Sequence, residues 1–299
     1  MEKIASIDIG SNTLRLLIVE KSSLGIRPIF RDREIVRLGR GFSPTQCLSS
    51  QAMDHALTVL IRFRNKTVEE GVGRIRAGGT GVLRTAENRE IFGERVKKET
   101  GLAIEILSGE EEALIMAKGV LAQFSQINGS SVIFDLGGGS TEFVFLEGGE
   151  LTERLSLPLG VVGLTEQFLK TDPPSGNDLK SLRKHCRTIL EKNLSKNDKI
   201  INLIGTAGTV TTLAAMVKGI TDYDPDLING TVLLKEPLKQ LAEDILARPF
   251  DQRKNLPGLE PGRADIIGAG ILVVLEIMEY FFQETLLVSD AGLLEGLIL

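Results

Sequence analysis

Tryptophan is absent from the 299 residues, and tyrosine, cysteine and histidine occur only twice each. So few aromatic rings give no platform for stacking successive bases, and a nucleic-acid partner is not expected. Cys47 and Cys186 lie far apart in sequence, so neither a disulfide framework nor a zinc-type ligand spacing is available. Sparse cysteine fits a reducing cytoplasm. His55 and His185 have no supporting residues around them and both read as surface positions. GxGxxG and GxxxxGK[ST] are missing, so neither a dinucleotide fold nor a P-loop is supported. The longest apolar stretch, 266–277, is short and broken by Gly268, Gly270 and Glu276. It reads as a core helix, with no membrane span expected. The chain enters a strand at once, without a signal-peptide pattern. Net charge is −5, with no long block of one sign. A polyanionic partner would therefore need a local basic patch.

Glycine, in contrast, is plentiful, at 32 residues, and it marks two stretches that repeat. Residues 132–147 (VIFDLGGGSTEFVFLE) run an apolar strand into Asp135, then Gly137, Gly138, Gly139 and Ser140, then a second strand. Residues 4–20 (IASIDIGSNTLRLLIVE) do the same with Asp8, Gly10, Ser11 and Asn12. Asp8 recurs as Asp135, Gly10 as Gly137, Thr13 as Ser140 and Arg15 as Glu142, all at an offset of 127 residues. A second pair, Gly79-Thr80-Gly81 and Gly205-Thr206-Ala207-Gly208, follows a strand and opens a helix in each case. Thr80 and Thr206 are 126 residues apart. Two turn types under nearly one shift predict two copies of one α/β fold facing each other across a cleft. Chance likeness between glycine-rich turns is the competing account.

These turns suit phosphate. Gly10, Gly137, Gly138 and Gly139 are expected to use positive φ, so that successive N–H groups converge on an anion beside Ser140. The helix starts after Thr80 and Thr206 add unpaired N–H groups and a positive dipole end. Asp8 and Asp135, each at a strand end, are candidates to hold Mg²⁺ against bound phosphates; an ordinary Asx turn is the alternative. Arg15 and Glu142 sit at equivalent places in apolar strands. Either they face solvent, or they face the cleft, where Arg15 contacts phosphate and Glu142 holds a metal or a water. Ser108 and Glu111 fit a capping box. Glu112, about 100° further round that helix, is left as a candidate general base. Arg84 is either a phosphate clamp or a helix-surface residue. Lys180, Arg183, Lys184 and Arg187 form a stripe that is either a solvated face or a track for a long polyanion.

Four motifs together resemble the exopolyphosphatase / guanosine pentaphosphate phosphohydrolase (Ppx/GppA) family in its short two-domain form. They are DIGSN at 8–12 with Arg15, GTGVLRTAEN at 79–88, SGEEEA at 108–113 and DLGGGSTE at 135–142. The resemblance spans the chain. It implies an α/β architecture of two tandem actin-like (ribonuclease H-like) domains with an interdomain cleft, at 1–124 and 125–299, with residues 290–299 packing back onto the first. It implies Mg²⁺-dependent hydrolysis of a terminal phosphoanhydride, with Glu112 as catalytic base. Asp135, Gly137 and Glu142 then line the phosphate and metal site. Asp8, Ser11 and Asn12 form the first domain's phosphate loop, and Arg84 binds phosphate. The substrate it points to is inorganic polyphosphate, with guanosine pentaphosphate as the alternative. An actin-like kinase and a non-catalytic polyphosphate or nucleotide sensor remain open, as does a homodimer.

Overall fold

A computed structural model describes residues 2–22, 25–42, 46–124, 127, 129–195 and 200–299. The chain divides into two compact units, Met1–Gly119 together with Leu293–Leu299, and Val120–Gly292. Residue 125, where the second domain is expected to begin, lies outside the described residues.

In the first unit β1 (Glu2–Ile9), β2 (Thr13–Ser22) and β3 (Gly25–Ile35) pair antiparallel, while β4 (Arg74–Gly79) and β5 (Ile104–Ile106) extend the other side of β1 in parallel. The order is β3-β2-β1-β4-β5. β1 and β2 are apolar on both faces because both faces are covered. Ile7, Ile9, Leu14, Leu16 and Ile18 share a core with the buried side of α1 (Ser50–Glu69) and α2 (Arg89–Thr100). Ile4, Leu17 and Val19, out of phase with those, meet Leu294 and Ile298 from the last residues of the chain. That closing segment contains one turn of helix, Leu293–Gly296. Ser6 Oγ donates to the Leu294 carbonyl at 2.7 Å, and Arg31 pairs with Glu295 at 3.1 Å. Its Gly296 lies so close to the Ile115 carbonyl of α3 (Gly109–Gln123) that a Cβ there would overlap it.

The second unit repeats the plan. β6 (Ser130–Leu136), β7 (Thr141–Glu147) and β8 (Glu150–Leu157) pair antiparallel, β9 (Asn202–Thr206) and β11 (Thr285–Val288) continue in parallel, and β10 (Val232–Leu234) adds an antiparallel edge. Reading β8-β7-β6-β9-β11 gives the same order and directions as the first unit. This duplicated five-stranded arrangement is the actin-like fold that the resemblance implied. Its helices of eight residues or more are α4 (Val161–Phe168), α5 (Gly176–Asn193), α6 (Ala207–Lys218), α7 (Lys235–Ala247) and α8 (Ile267–Tyr280). α8 is buried along its whole length except at Glu279, as a central helix must be. Among the described residues no helix is long and apolar enough to cross a membrane.

Of the two carboxylates on α8, Glu276 is the buried one, only 2% exposed, and it takes Arg183 Nη1 at 2.8 Å and Arg187 Nε at 2.5 Å. Two of the four stripe cations therefore neutralise a buried carboxylate, whereas Lys180 and Lys184 are exposed. Burial, with Glu276 nearby, pushes the Cys186 thiol up to about 12. His185 departs from expectation: it is half-buried, its ring centroid 4.8 Å from that of Phe168. α5 presents it to α4 rather than to water.

Candidate active site

The two Asp-Gly turns match at the level of single hydrogen bonds. Asp8 stands opposite Arg15 on the β1–β2 ladder, and Asp135 opposite Glu142 on β6–β7. Directly opposed residues share a sheet face with their Cβ atoms about 5 Å apart, so each Asp faces its partner. Gly10 N donates to Thr13 O at 3.1 Å, and Gly137 N to Ser140 O at 3.0 Å. A Cβ added at either glycine would press on that same carbonyl, at 3.1 and 3.3 Å.

The expectation of positive φ fails. None of Gly10, Gly137, Gly138 or Gly139 lies in the left-handed region. The second unit orients the turn by another device: Val161 N and Val162 N, opening α4, donate to the carbonyls of Gly137 and Gly138 at 3.1 and 3.0 Å. Because a trans peptide points its N–H opposite its C=O, the N–H groups of Gly138 and Gly139 are turned away from α4. The approach is tight, since a Cβ at Gly160 would sit 2.5 Å from Gly138 O. In the first unit the 36–39 segment does this work. Gly39 N donates to Ser11 O at 2.7 Å, and Val36 N and Arg37 N donate to Asn12 O at 3.0 and 2.9 Å.

Ser11 and Asn12 are buried, and their side chains have local tasks. Ser11 Oγ accepts from Val82 N at 3.0 Å, and Asn12 Nδ2 donates to Thr13 Oγ1 at 3.4 Å. The stretch after Thr80 also differs from the expected helix. Gly81–Arg84 is a single 3₁₀ turn, and α2 begins only at Arg89. The intervening Asn88 is held by Leu48, accepting from its N–H and donating to its carbonyl, both at 2.9 Å. Gly81 needs its positive φ of 57°, and a side chain there would collide with Ser11 Oγ.

Arg84 closes that 3₁₀ turn and forms an ion pair with Glu112, both side chains largely buried. Ser108 N donates to Glu111 Oε2 at 2.8 Å and Glu111 N to Ser108 Oγ at 3.2 Å, the reciprocal capping box. Glu111 thus caps α3, and Glu112 is left to face Arg84. Within the first unit a continuous path links the Gly10–Thr13 turn, Ser11 Oγ, Val82 N, Arg84 and Glu112.

In the second unit the row across the sheet reads Thr206, Asp135, Glu142, Ser156. Glu142, 1% exposed, accepts from Ser140 Oγ and Ser156 Oγ, both at 2.7 Å. Thr206 caps α6 through its backbone, while its hydroxyl donates to Ala291 O at 2.9 Å. In the first unit the corresponding row is Gly78, Asp8, Arg15, Arg33. Thr206, not an equivalent of Gly78, lies opposite the Asp, so the two strand-to-helix turns differ by two residues in register. Ala207 opens α6 at φ 71°, a conformation that costs an L-residue about 1 kcal/mol. Ala207→Gly is expected to raise stability by about 1 kcal/mol in denaturant titration.

The Ppx/GppA phosphatase family model matches residues 17–299. The chain belongs to the Ppx/GppA phosphatase family. It is 31% identical to exopolyphosphatase 2 of Mycobacterium tuberculosis, over the whole chain and 98% of that protein. It is 28% identical to a guanosine-5′-triphosphate,3′-diphosphate pyrophosphatase of Vibrio parahaemolyticus, over 98% of the chain and 58% of that protein. Among solved structures, the Aquifex aeolicus PPX-GPPA enzyme superposes with a TM-score of 0.84 at 35% identity, covering 99% of this chain and 98% of that one. An exopolyphosphatase from Cytophaga hutchinsonii gives a TM-score of 0.90 at 26% identity, over 99% and 96%. The enzyme class expected from the sequence, a hydrolase of phosphorus-containing anhydrides, agrees with this membership.

For this Ppx/GppA chain the residues suit Mg²⁺. Among the described residues no three His, Cys, Asp or Glu side chains gather into a metal centre built wholly by protein. Mg²⁺ does not ask for one: it binds one or two carboxylates and completes its shell with water and phosphate oxygens. Asp135 and Glu142, opposed on one sheet face, are such a pair. The Asp135 carboxylate is flanked by glycines, its Oδ1 and Oδ2 each 3.9 Å from the Cβ positions of Gly137 and Gly292. Asp8 holds the matching place in the first unit.

Sequence reasoning missed two residues. Arg263, buried, lays its guanidinium on Gly208 at the start of α6, where a Cβ would stand 2.5 Å from Nη2. Gly160 sets the α4 contact described above. Arg263 opens a stretch, 263–270, that also resembles the family, but neither residue is given a role from the sequence, because each acts on a turn distant from it.

Proposed function

We propose that this protein hydrolyses the terminal phosphoanhydride of inorganic polyphosphate, with Mg²⁺ bound and Glu112 as general base; guanosine pentaphosphate is the alternative substrate. The Arg84–Glu112 ion pair, linked through Val82 and Ser11 to the first phosphate turn, carries this reading. It puts a proton acceptor and a phosphate clamp side by side, next to backbone shaped for an anion. The names of the two curated relatives support the choice of substrates.

Arg84 has a planar fork of five N–H donors, enough to hold Glu112 on one edge and a phosphate oxygen on another. Glu112 accepts a proton from water as the water oxygen bonds to the terminal phosphorus. The bond from phosphorus to the bridging oxygen breaks in line, and that oxygen leaves with the electron pair on the shortened chain. In the first unit Arg15 holds a non-reacting phosphate; in the second, the Gly138 and Gly139 N–H groups are donors for an anion. In the second unit Asp135 and Glu142 would hold Mg²⁺, which would offset phosphate charge and polarise phosphoryl oxygen; Asp8 offers the matching carboxylate in the first unit.

The test is release of free phosphate by purified protein. Polyphosphate and guanosine pentaphosphate are supplied in turn, with Mg²⁺ and then with excess EDTA. Release with Mg²⁺ is expected, falling about 100-fold on chelation, the equivalent of about 2.7 kcal/mol. No release from either substrate, or ATP consumption only when an acceptor is present, would overturn the reading.

A further inference from the structure

In the first unit lies a cavity of about 590 Å³, and of the residues lining it the reaction just described uses Arg84 alone. Its floor is apolar, made by Leu83, Phe92 and Leu107, with Ile104 and Ile106 as a wall. Arg84 and Arg89 stand at one side, and Arg89 donates to the Arg84 carbonyl. Glu90 lies on the rim. The size falls in the range of small-molecule pockets, and so does the mixture of an apolar floor with a few polar groups.

Gly93 gives an independent pointer. It lies inside α2 and lines the cavity. Glycine in a helix interior costs about 1 kcal/mol relative to alanine. Nothing requires it for backbone reasons, since its φ is not positive, and no atom stands within 4 Å of a Cβ built there. A longer side chain at this position would project into open space along the cavity.

An inorganic phosphate chain has no apolar surface to place on such a floor. A nucleotide does. We propose that this cavity receives the nucleoside end of a nucleotide substrate, its ring over the apolar floor and its phosphates directed past Arg89 to Arg84. Ring N–H groups then have the Glu90 carboxylate as an acceptor. The assignment rests on the reading that Arg84 and Glu112 mark the reaction centre, and it makes Gly93 a residue that sets specificity.

The test compares two matched probes by calorimetric titration: GTP, and inorganic tripolyphosphate, which is the same anion without the nucleoside. The protein variants are wild type, Gly93→Ala, Gly93→Phe and Ile106→Lys. GTP is expected to bind wild type and Gly93→Ala at least tenfold more tightly than tripolyphosphate. In Gly93→Phe, which puts a ring into the cavity, and in Ile106→Lys, which charges its exposed wall, that ratio should fall to about one. Equal affinities in wild type, or a ratio that survives both variants, overturn the assignment. Helical circular dichroism and the melting midpoint check that each variant is folded, and Ile106→Lys decides the matter should Gly93→Phe not fold. Because binding is read without turnover, the outcomes separate. Loss of the ratio in a protein that hydrolyses neither polyphosphate nor guanosine pentaphosphate upholds the cavity and rejects the reaction. Hydrolysis that depends on Glu112, with the ratio intact in both variants, does the reverse.

Discussion

Glu112→Gln is expected to lower kcat for phosphate release about 10³-fold, within the range of a lost general base, while KM changes by less than about threefold. Glutamine keeps the size of the side chain, and its amide oxygen can still accept from Arg84, so the pairing geometry survives. What is lost is the ability to take a proton from water. The competing account makes Glu112 a structural partner of Arg84 only. It predicts the opposite pattern: a lower melting temperature from disturbing a largely buried ion pair, with turnover intact in the folded fraction. Measuring kcat and thermal midpoint on one preparation separates the two. Activity within threefold of wild type would remove Glu112 from the mechanism. A loss of 10³ corresponds to about 4 kcal/mol of transition-state stabilisation, well beyond what a rotamer shift at Arg84 would produce.

Gly296→Ala should be the most damaging single-methyl change in the first unit. The added carbon would overlap Ile115 O and stand 2.7 Å from Ile115 C, backbone atoms of α3 that no rotamer change can move. Either α3 bends or the closing helix lifts. Lifting would return Leu293, Leu294, Leu297 and Ile298 to water, all now under 9% exposed, each worth about 1.5–3 kcal/mol of burial. The expected loss is therefore about 3 kcal/mol or more, seen as a drop in Tm of roughly 6–12 °C. Gly93→Ala, also a methyl added to a helical glycine, has open space before it and should raise stability instead. Equal effects at the two sites would show that clearance around the closing helix is not what requires glycine there.

The duplication was legible because it is written in side chains that act locally. An Asp at the end of a strand, followed two residues later by Gly, produced the same opposed pair and the same turn hydrogen bond in both halves. The capping box at Ser108 was legible for that reason too. The second shared motif was less transparent. Gly-Thr-Gly and Gly-Thr-Ala-Gly look alike, yet one opens a 3₁₀ turn and the other a twelve-residue helix. Letters alone do not say how far the preceding strand runs, and the ladders show a difference of two residues. Glycine was read for its freedom of φ, whereas at Gly160 it answers to another segment's backbone. That demand becomes visible only when α4 is seen against the turn. The stripe's letters did not show that its arginines answer to Glu276, 89 positions and more away in sequence.

The closing helix has a consequence for how the chain is made. Leu294 and Ile298 cover a face of β1 and β2, but they follow the whole of Val120–Gly292 in the order of synthesis. While the ribosome is still translating the second unit, the first presents Ile4, Leu17 and Val19 without their lid. A nascent chain halted before residue 293 would therefore show a greasy sheet face, suited to chaperone capture, until residues 293–298 have been made.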